Sequence, residues 1–206
     1  MNMTKDEITK AAIIEAAQKL FQQFGLAKTT MEDIAKAIGK GKSSLYYYYA
    51  TKEEIFQAVV DKEKENIEQN IVMAIGKEDT AEQKLRAFAT SKYRALRKRQ
   101  LLYKIMTVGF STENACIFSA IKQRYNETEE GILKGIISFG IKEGTFDLSY
   151  QDQLDVITKV CTNMLRGMQL EISFGSYKGS ATDIIDATVD FIARGLRSKN
   201  ITCQAY

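Results

Sequence analysis

The 206-residue sequence has no histidine, no proline and no tryptophan, and only three cysteines. Without histidine there is no Ser/His or Cys/His nucleophile pair, no imidazole metal ligand, and no side chain that titrates near neutrality unaided. No P-loop signature or G-x-G-x-x-G run occurs either, so neither an enzyme nor a cofactor is expected. The lack of proline removes the commonest helix breaker and predicts a mostly helical chain joined by glycine-punctuated turns. Cys116, Cys161 and Cys203 stand too far apart for a close-spaced metal motif, and their odd number argues against a disulfide framework. They read as reduced thiols of a cytoplasmic protein, and no metal site is expected. No apolar run approaches the ~20 residues of a membrane span, and the opening "MNMTKDEITK" lacks the apolar core of a signal peptide. A soluble protein is expected.

What is present fits an all-α chain. An apolar content of 45% over this length supports a substantial core in one or two domains. Ile13, Ala17, Leu20 and Phe24 step by four, three and four before Gly25, a stop signal. In "KTTMEDIAKAIG" Thr29 or Thr30, with Glu32 or Asp33, forms a capping box for a short helix ending at Gly39. A third helix spans Lys42 to about Tyr49. A fourth, capped by Thr51, runs through Ile55, Phe56, Val59 and Ile67 toward Ile75. Thr80 and Gln83 open a fifth. A short helix around "LLYKIMTVGF", a long one from about Asn114 to Glu143, a loop in "GTFDLSYQD", and two last helices near 152–174 and 181–197 complete about nine.

Two short helices separated by a tight glycine turn are what a helix-turn-helix requires. Ala35 allows close approach, Gly39 permits a left-handed turn, and Leu45 fills the gap between the pair. This arrangement gives a reading of the four consecutive tyrosines, 46 to 49. With Leu45, Tyr48 and Tyr49 fall on the inner face, while Lys42, Ser43, Tyr46 and Tyr47 fall on the outer one. Between Leu26 and Lys52 five lysines face two acids, a local excess of +3 that equals the net charge of the whole chain. A basic outer face of this kind suits nucleic acid.

From Ile8 to about Asp61 the sequence resembles the DNA-binding domain of TetR-family transcriptional regulators, through "AAQKLFQQFG", "TTMEDIAKAIG" and "SSLYYYYATKEEIF" at matching spacings. Three departures stand out. Lys40 occupies a turn position the family usually gives to an apolar residue, Gly41 the place of a frequent Ser or Thr cap, and Tyr47 or Tyr48 that of a frequent histidine. The resemblance implies a helix-turn-helix three-helix domain over residues 1–52 and a C-terminal helical bundle over 53–206 that binds an effector and dimerises. It also implies that Thr30, Lys40, Lys42, Ser43, Ser44, Tyr46, Tyr47 and Lys52 contact DNA. Lys42, Ser43 and Ser44 would lie near base edges, Tyr46 and Tyr47 at phosphates, and Thr30 and Lys52 on the backbone. The partners implied are double-stranded DNA with a palindromic operator, a small-molecule effector and a second copy of the chain. Most such proteins are repressors released by their effector, and an activator or corepressor-dependent regulator is the alternative.

In the bundle, Tyr93, Tyr103, Met106, Phe110, Phe118, Met164 and Met168 are candidates for lining an effector cavity, because aromatics and methionines suit adaptable apolar sites. Ile185, Val189, Ile192 and Leu196 form a stripe that Val156, Val160 and Leu165 extend, which makes them the expected dimer contact. Eight basic residues and no acid lie between Lys84 and Lys104. Their two readings are ion pairing with acids at 63–68 and 127–130, or an anionic effector or secondary DNA contact. The effector is expected to be apolar, and neutral or anionic.

Overall fold

The computed structural model describes residues 4–98, 115–173 and 178–198. Among them are eight α-helices, one 3-10 helix and no strand. The order is α1 (Lys5–Lys28), α2 (Met31–Ala37), α3 (Lys42–Tyr48), α4 (Lys52–Ile75), α5 (Ala81–Lys98), α6 (Ala115–Lys142), the 3-10 helix (Leu148–Gln153), α7 (Leu154–Ser173) and α8 (Ala181–Leu196). The short helix expected around residues 101–110 lies outside the described residues. Among them, no helix is long and apolar enough to cross a membrane.

Local chemistry sets the helix starts. Thr4 with Glu7 and Thr30 with Asp33 close full capping boxes, each satisfying two amides that would otherwise lack partners. Thr80 and Gln83 do the same for α5, and Thr51 accepts from the amide of Glu54 at 3.1 Å. Of the two threonines that could cap α2, Thr30 is the one used. Thr29 is buried and donates its hydroxyl to the Gly25 carbonyl at 2.8 Å. Gly25 itself, at φ 81°, breaks α1 in the left-handed region that glycine enters without steric cost.

The described residues group into two compact units, one within Met1–Asn66 and Lys98–Ile121, the other within Ile67–Arg97 and Lys122–Tyr206. The division inside α4 falls after Asn66, well beyond the boundary expected after residue 52. The reason is packing. Phe56, Val59 and Val60 on the first half of α4 are buried, and the Phe56 ring meets Phe21 edge-on at 5.3 Å. This half of α4 therefore belongs to the core of the first unit, with Ile13, Ala17, Ile34 and Leu45. The buried face of α1 runs Ile13, Ala17, Phe21. Leu20 is only half-buried and Phe24 is exposed, because the ring that meets Phe56 is that of Phe21.

In the second unit Leu85, Phe88, Leu133, Ile137 and Leu165 are buried. The stretch "GTFDLSYQD", expected to be a loop, carries the 3-10 helix and a buried Phe146. Asp147 caps that turn by accepting from the Ser149 amide at 2.9 Å, while its own amide donates to the Leu196 carbonyl at 2.8 Å. Phe146 donates its amide to the carbonyl of Gly140 at 2.9 Å and lays its ring against the same glycine.

Candidate nucleic-acid interface and effector site

The turn between α2 and α3 is built as its sequence predicts. Gly39 adopts φ 66°, and the amide of Lys40 returns to the Ala35 carbonyl at 3.0 Å. Leu45 and Ile34 are fully buried beneath the turn and Ala35 is buried beside them, which fixes α3 against α2. Gly41 is the N-cap of α3 and supplies no side-chain hydrogen bond.

This frame sorts the four tyrosines. Tyr46 and Tyr47 are 47% and 77% exposed, large values for aromatic rings. Tyr48 and Tyr49 are half-buried rather than core, and the Tyr48 hydroxyl donates to Asp6 of α1 at 2.9 Å. Tyr47 leans edge-on against Tyr48 at 4.9 Å, and the ammonium of Lys42 sits 5.9 Å from the centre of the Tyr46 ring. Lys40, Lys42 and Ser43 are exposed and Ser44 is half-buried. Among the described residues, neither Lys40 nor Lys42 enters an ion pair. Lys36 does, with Glu32 at 2.9 Å.

Two residues assigned to the phosphate backbone make hydrogen bonds within the fold. Lys52 points its ammonium at the carbonyls of Leu26, Ala27 and Thr29, at 2.8, 3.4 and 3.1 Å. Its three N–H donors are thereby spent on fastening α4 to the end of α1. Thr30 directs both its hydroxyl, at 2.6 Å, and its amide, at 3.0 Å, to Asp33. These bonds hold the Asp33 carboxyl below its usual range, so the position presents a carboxylate and no free donor. The remaining face consists of Lys40, Lys42, Ser43, Ser44, Tyr46 and Tyr47.

In the second unit a narrow crevice lies between α4, α5 and α6. Ile67, Ile71, Phe88, Tyr125 and Ile132 form its apolar walls, and Glu68, Lys92, Thr128 and Glu129 its polar part. About 10 Å³ of it is open, room for about one water. Lys92 and Glu129 form an ion pair with side chains 2% and 3% exposed. The pair continues outward, since Arg166 meets Glu129 at 3.2 Å and Glu130 at 3.5 Å, and Lys159 meets Glu130 at 2.7 Å. Burial lowers the basicity of Lys92 and raises the Tyr125 hydroxyl above its ordinary range.

The effector residues named from the sequence divide between described and undescribed positions. Tyr103, Met106 and Phe110 fall outside the described residues, as does the side chain of Phe118. Tyr93 and Met164 are half-buried and Met168 is buried, and none of the three lines the crevice. The sequence did hold a signal for this buried ion pair. Lys92 follows Leu85, Phe88 and Ala89 on the buried stripe of α5, and Glu129 lies between Tyr125 and Leu133 on that of α6. A charge inside an apolar stripe marks a buried ionic site.

Residues 13–59 match the family described as bacterial regulatory proteins, tetR family. The HTH-type transcriptional regulator TtgR of Pseudomonas putida is 42% identical over 60 residues, 28% of this chain and 29% of TtgR. The chain thus spans under a third of that relative's length. The HTH-type transcriptional regulator YhgD of Bacillus subtilis is 33% identical over 145 residues, 66% of this chain and 70% of YhgD. The chain belongs to the TetR family. Its fold extends the likeness beyond the aligned sequence. The fatty acid degradation regulator FadR from Bacillus halodurans superposes with a TM-score of 0.72 at 16% identity, covering 97% of this chain and 100% of that one.

TetR-family proteins are regulators rather than enzymes, which agrees with the catalytic groups missing from this sequence. The residues expected at the dimer contact of this TetR-family chain fall into a buried and an exposed group. Ile185, Val189, Ile192 and Leu196 are each below 5% exposed, as is Leu165, because α8 turns that stripe inward onto its own chain. Val156 and Val160, also of that expected contact, are 63% and 50% exposed on α7, where Leu170 is 39% exposed, and on α8 Phe191 is 70% exposed. The small residues Gly167, Ala187 and Gly195 lie on the same exposed sides.

Three of the eight residues in the basic run of this TetR-family chain are engaged within the fold. Lys92 holds Glu129, Arg86 holds Asp186 and Asp190, and Lys84 donates to the Ile75 and Glu78 carbonyls. Arg94 is exposed. The side chains of Arg97, Lys98, Arg99 and Lys104 lie outside the described residues.

Proposed function

We propose that the chain is a homodimeric repressor in the cytoplasm that holds a palindromic operator in double-stranded DNA and releases it when a small, mainly apolar effector binds the C-terminal unit. The observation that carries this reading is the outer face of α3. Two exposed phenols, Lys42 and Ser43 share that face over a fully buried Leu45, with half-buried Ser44 beside them and Lys40 in the turn before the helix. Exposed aromatics among lysines suit a polyanion. Lys42, Ser43 and Ser44 stand at the N-terminal end of α3, the part of a recognition helix that reads base edges, while the phenols direct hydroxyls to phosphates.

A single helix of this length covers one half-site, so a palindrome requires two copies. The bare faces of α7 and α8 are the surface we assign to the second copy. Release then follows if the effector favours an arrangement in which the two recognition helices no longer match the operator spacing. Helix α4 contributes Phe56 to the first core and Ile67 and Ile71 to the crevice.

A gel shift with DNA from upstream of the chain's own coding sequence tests this directly. Lys42→Ala and Tyr47→Phe are expected to weaken operator and non-specific binding alike. The lysine change should also lower the slope of log affinity against log salt by about one. Ser44→Ala should instead change the preference among operator variants. Wild-type affinity and salt dependence in all three would remove α3 as the DNA face.

A further inference from the structure

We propose that Lys92 is the effector-recognising cation of the C-terminal unit, that its ligand is an amphipathic carboxylate, and that Glu129 is an internal counter-ion which the ligand's carboxylate displaces. The proposal rests on the ligand-responsive reading above and names the ligand chemistry of that response.

The starting point is the position of the ion pair. Lys92 and Glu129 lie at the polar end of a crevice walled by Ile67, Ile71, Phe88 and Ile132, with both side chains almost wholly out of water. Removing two charges from water costs more than their attraction commonly returns, and apolar residues of similar volume often serve stability as well or better. A core that keeps such a pair against its apolar wall gains little stability from it. A site that must recognise charge gains a pre-positioned, weakly hydrated cation.

The wiring of the cluster decides the sign of the ligand. Lys92, Glu129, Arg166, Glu130 and Lys159 form a chain of alternating charge with a cation at each end. Each carboxylate touches two cations, so Glu129 keeps Arg166 and Glu130 keeps Lys159 if Lys92 turns away. The exchange breaks one salt bridge, forms another with the incoming carboxylate, and leaves no member of the chain stranded. A cationic ligand at Glu129 would instead separate Lys92 from the acid it meets here. Glu68 also lines the crevice, a like charge that works against an anion and that the contact with Lys92 must outweigh. The Tyr125 ring, 5.9 Å from the Lys92 ammonium, supports the cation while its partner changes. Entry requires the crevice to open, since about 10 Å³ is free. The exchangeable pair is the part of its lining with a second arrangement ready.

The test is calorimetric titration of the full chain with dodecanoate, dodecanol and dodecyltrimethylammonium. Dodecanoate is expected to bind wild-type protein about ten- to a hundredfold more tightly than dodecanol, the range of a charge-assisted hydrogen bond. Lys92→Met should erase that preference while dodecanol affinity stays. Glu129→Gln, which keeps the cation and removes its competitor, should tighten dodecanoate binding by at least about threefold with dodecanol unchanged, and it serves if Lys92→Met fails to fold. A dodecanoate preference that survives Lys92→Met, weaker dodecanoate binding by Glu129→Gln, or tightest binding of dodecyltrimethylammonium would each overturn the proposal. Operator release is read separately. A wild-type chain that binds dodecanoate through Lys92 but never holds its upstream DNA retains the ligand site and loses the repressor reading. One that releases DNA with other compounds and binds no carboxylate loses the site alone.

Discussion

Phe191→Glu should yield a monomer that keeps its helical content and binds operator DNA about a hundred- to ten-thousandfold more weakly. Phe191 is 70% exposed on α8, so a carboxylate there remains in water in the isolated chain and disturbs no packing. In the proposed dimer the same carboxylate would be buried against the apolar residues of α7 and α8, at a cost of several kcal/mol if unpaired. Losing the second half-site then removes the avidity of two linked contacts, which spans the stated range. Sedimentation velocity and a gel shift on the same preparation check both effects. A Phe191→Glu protein that still sediments as a dimer would place the interface elsewhere. Ile192→Glu, one residue away, serves as the contrast. Ile192 is 3% exposed within its own chain, so a glutamate there should unfold the unit rather than divide a dimer.

Gly140→Ala should destabilise the second unit by about 2 to 4 kcal/mol, although the same exchange inside a helix ordinarily stabilises by up to about 1 kcal/mol. The reversal comes from the ring of Phe146. A Cβ at Gly140 would stand 2.6 Å from its Cε2 and closer still to Cδ2, with the Ala81 Cβ at 2.8 Å. Neither neighbour can yield freely, since Phe146 is buried and its amide is bound to the Gly140 carbonyl. Gly131 and Gly135 on the same helix have nothing within 4 Å of such a Cβ, and Gly131→Ala should raise stability modestly. Urea midpoints of the two variants should therefore move in opposite directions. Adding Phe146→Leu to Gly140→Ala should recover part of the loss, a coupling visible in a double-mutant cycle. Equal midpoints for Gly140→Ala and wild type would mean the ring is loosely held.

The sequence made the helices legible because their signals are local. Capping threonines, glycine stops and a missing proline act within a few residues, and Thr30, Thr80, Gly25 and Gly39 play the parts their positions predict. The outer face of α3 was readable for the same reason, from spacing alone. What escaped depends on contacts distant in sequence. Lys52, which the family resemblance set against the DNA backbone, could not be seen to face three carbonyls 23 to 26 residues earlier. The stripe Ile185, Val189, Ile192 and Leu196 was correctly apolar, but periodicity does not say whether its cover comes from the same chain or from another. Hydrophobic weighting put methionines and aromatics among the effector candidates. Lys92 and Glu129 entered only as members of a basic run and an acidic patch expected to pair, and their contact spans 37 residues.

The exposed rings of Tyr46 and Tyr47 have a consequence for observing the protein. The chain contains no tryptophan, so its intrinsic ultraviolet emission comes from ten tyrosines, unmasked by any indole. Two of those fluorophores stand bare on the face assigned to DNA, while Tyr48 is tied to Asp6 and Tyr125 is buried. Stacking or hydrogen bonding of Tyr46 and Tyr47 against a duplex would quench a fixed fraction of the signal. The recognition helix thus carries its own optical label, and Tyr47→Phe removes the more exposed part of it.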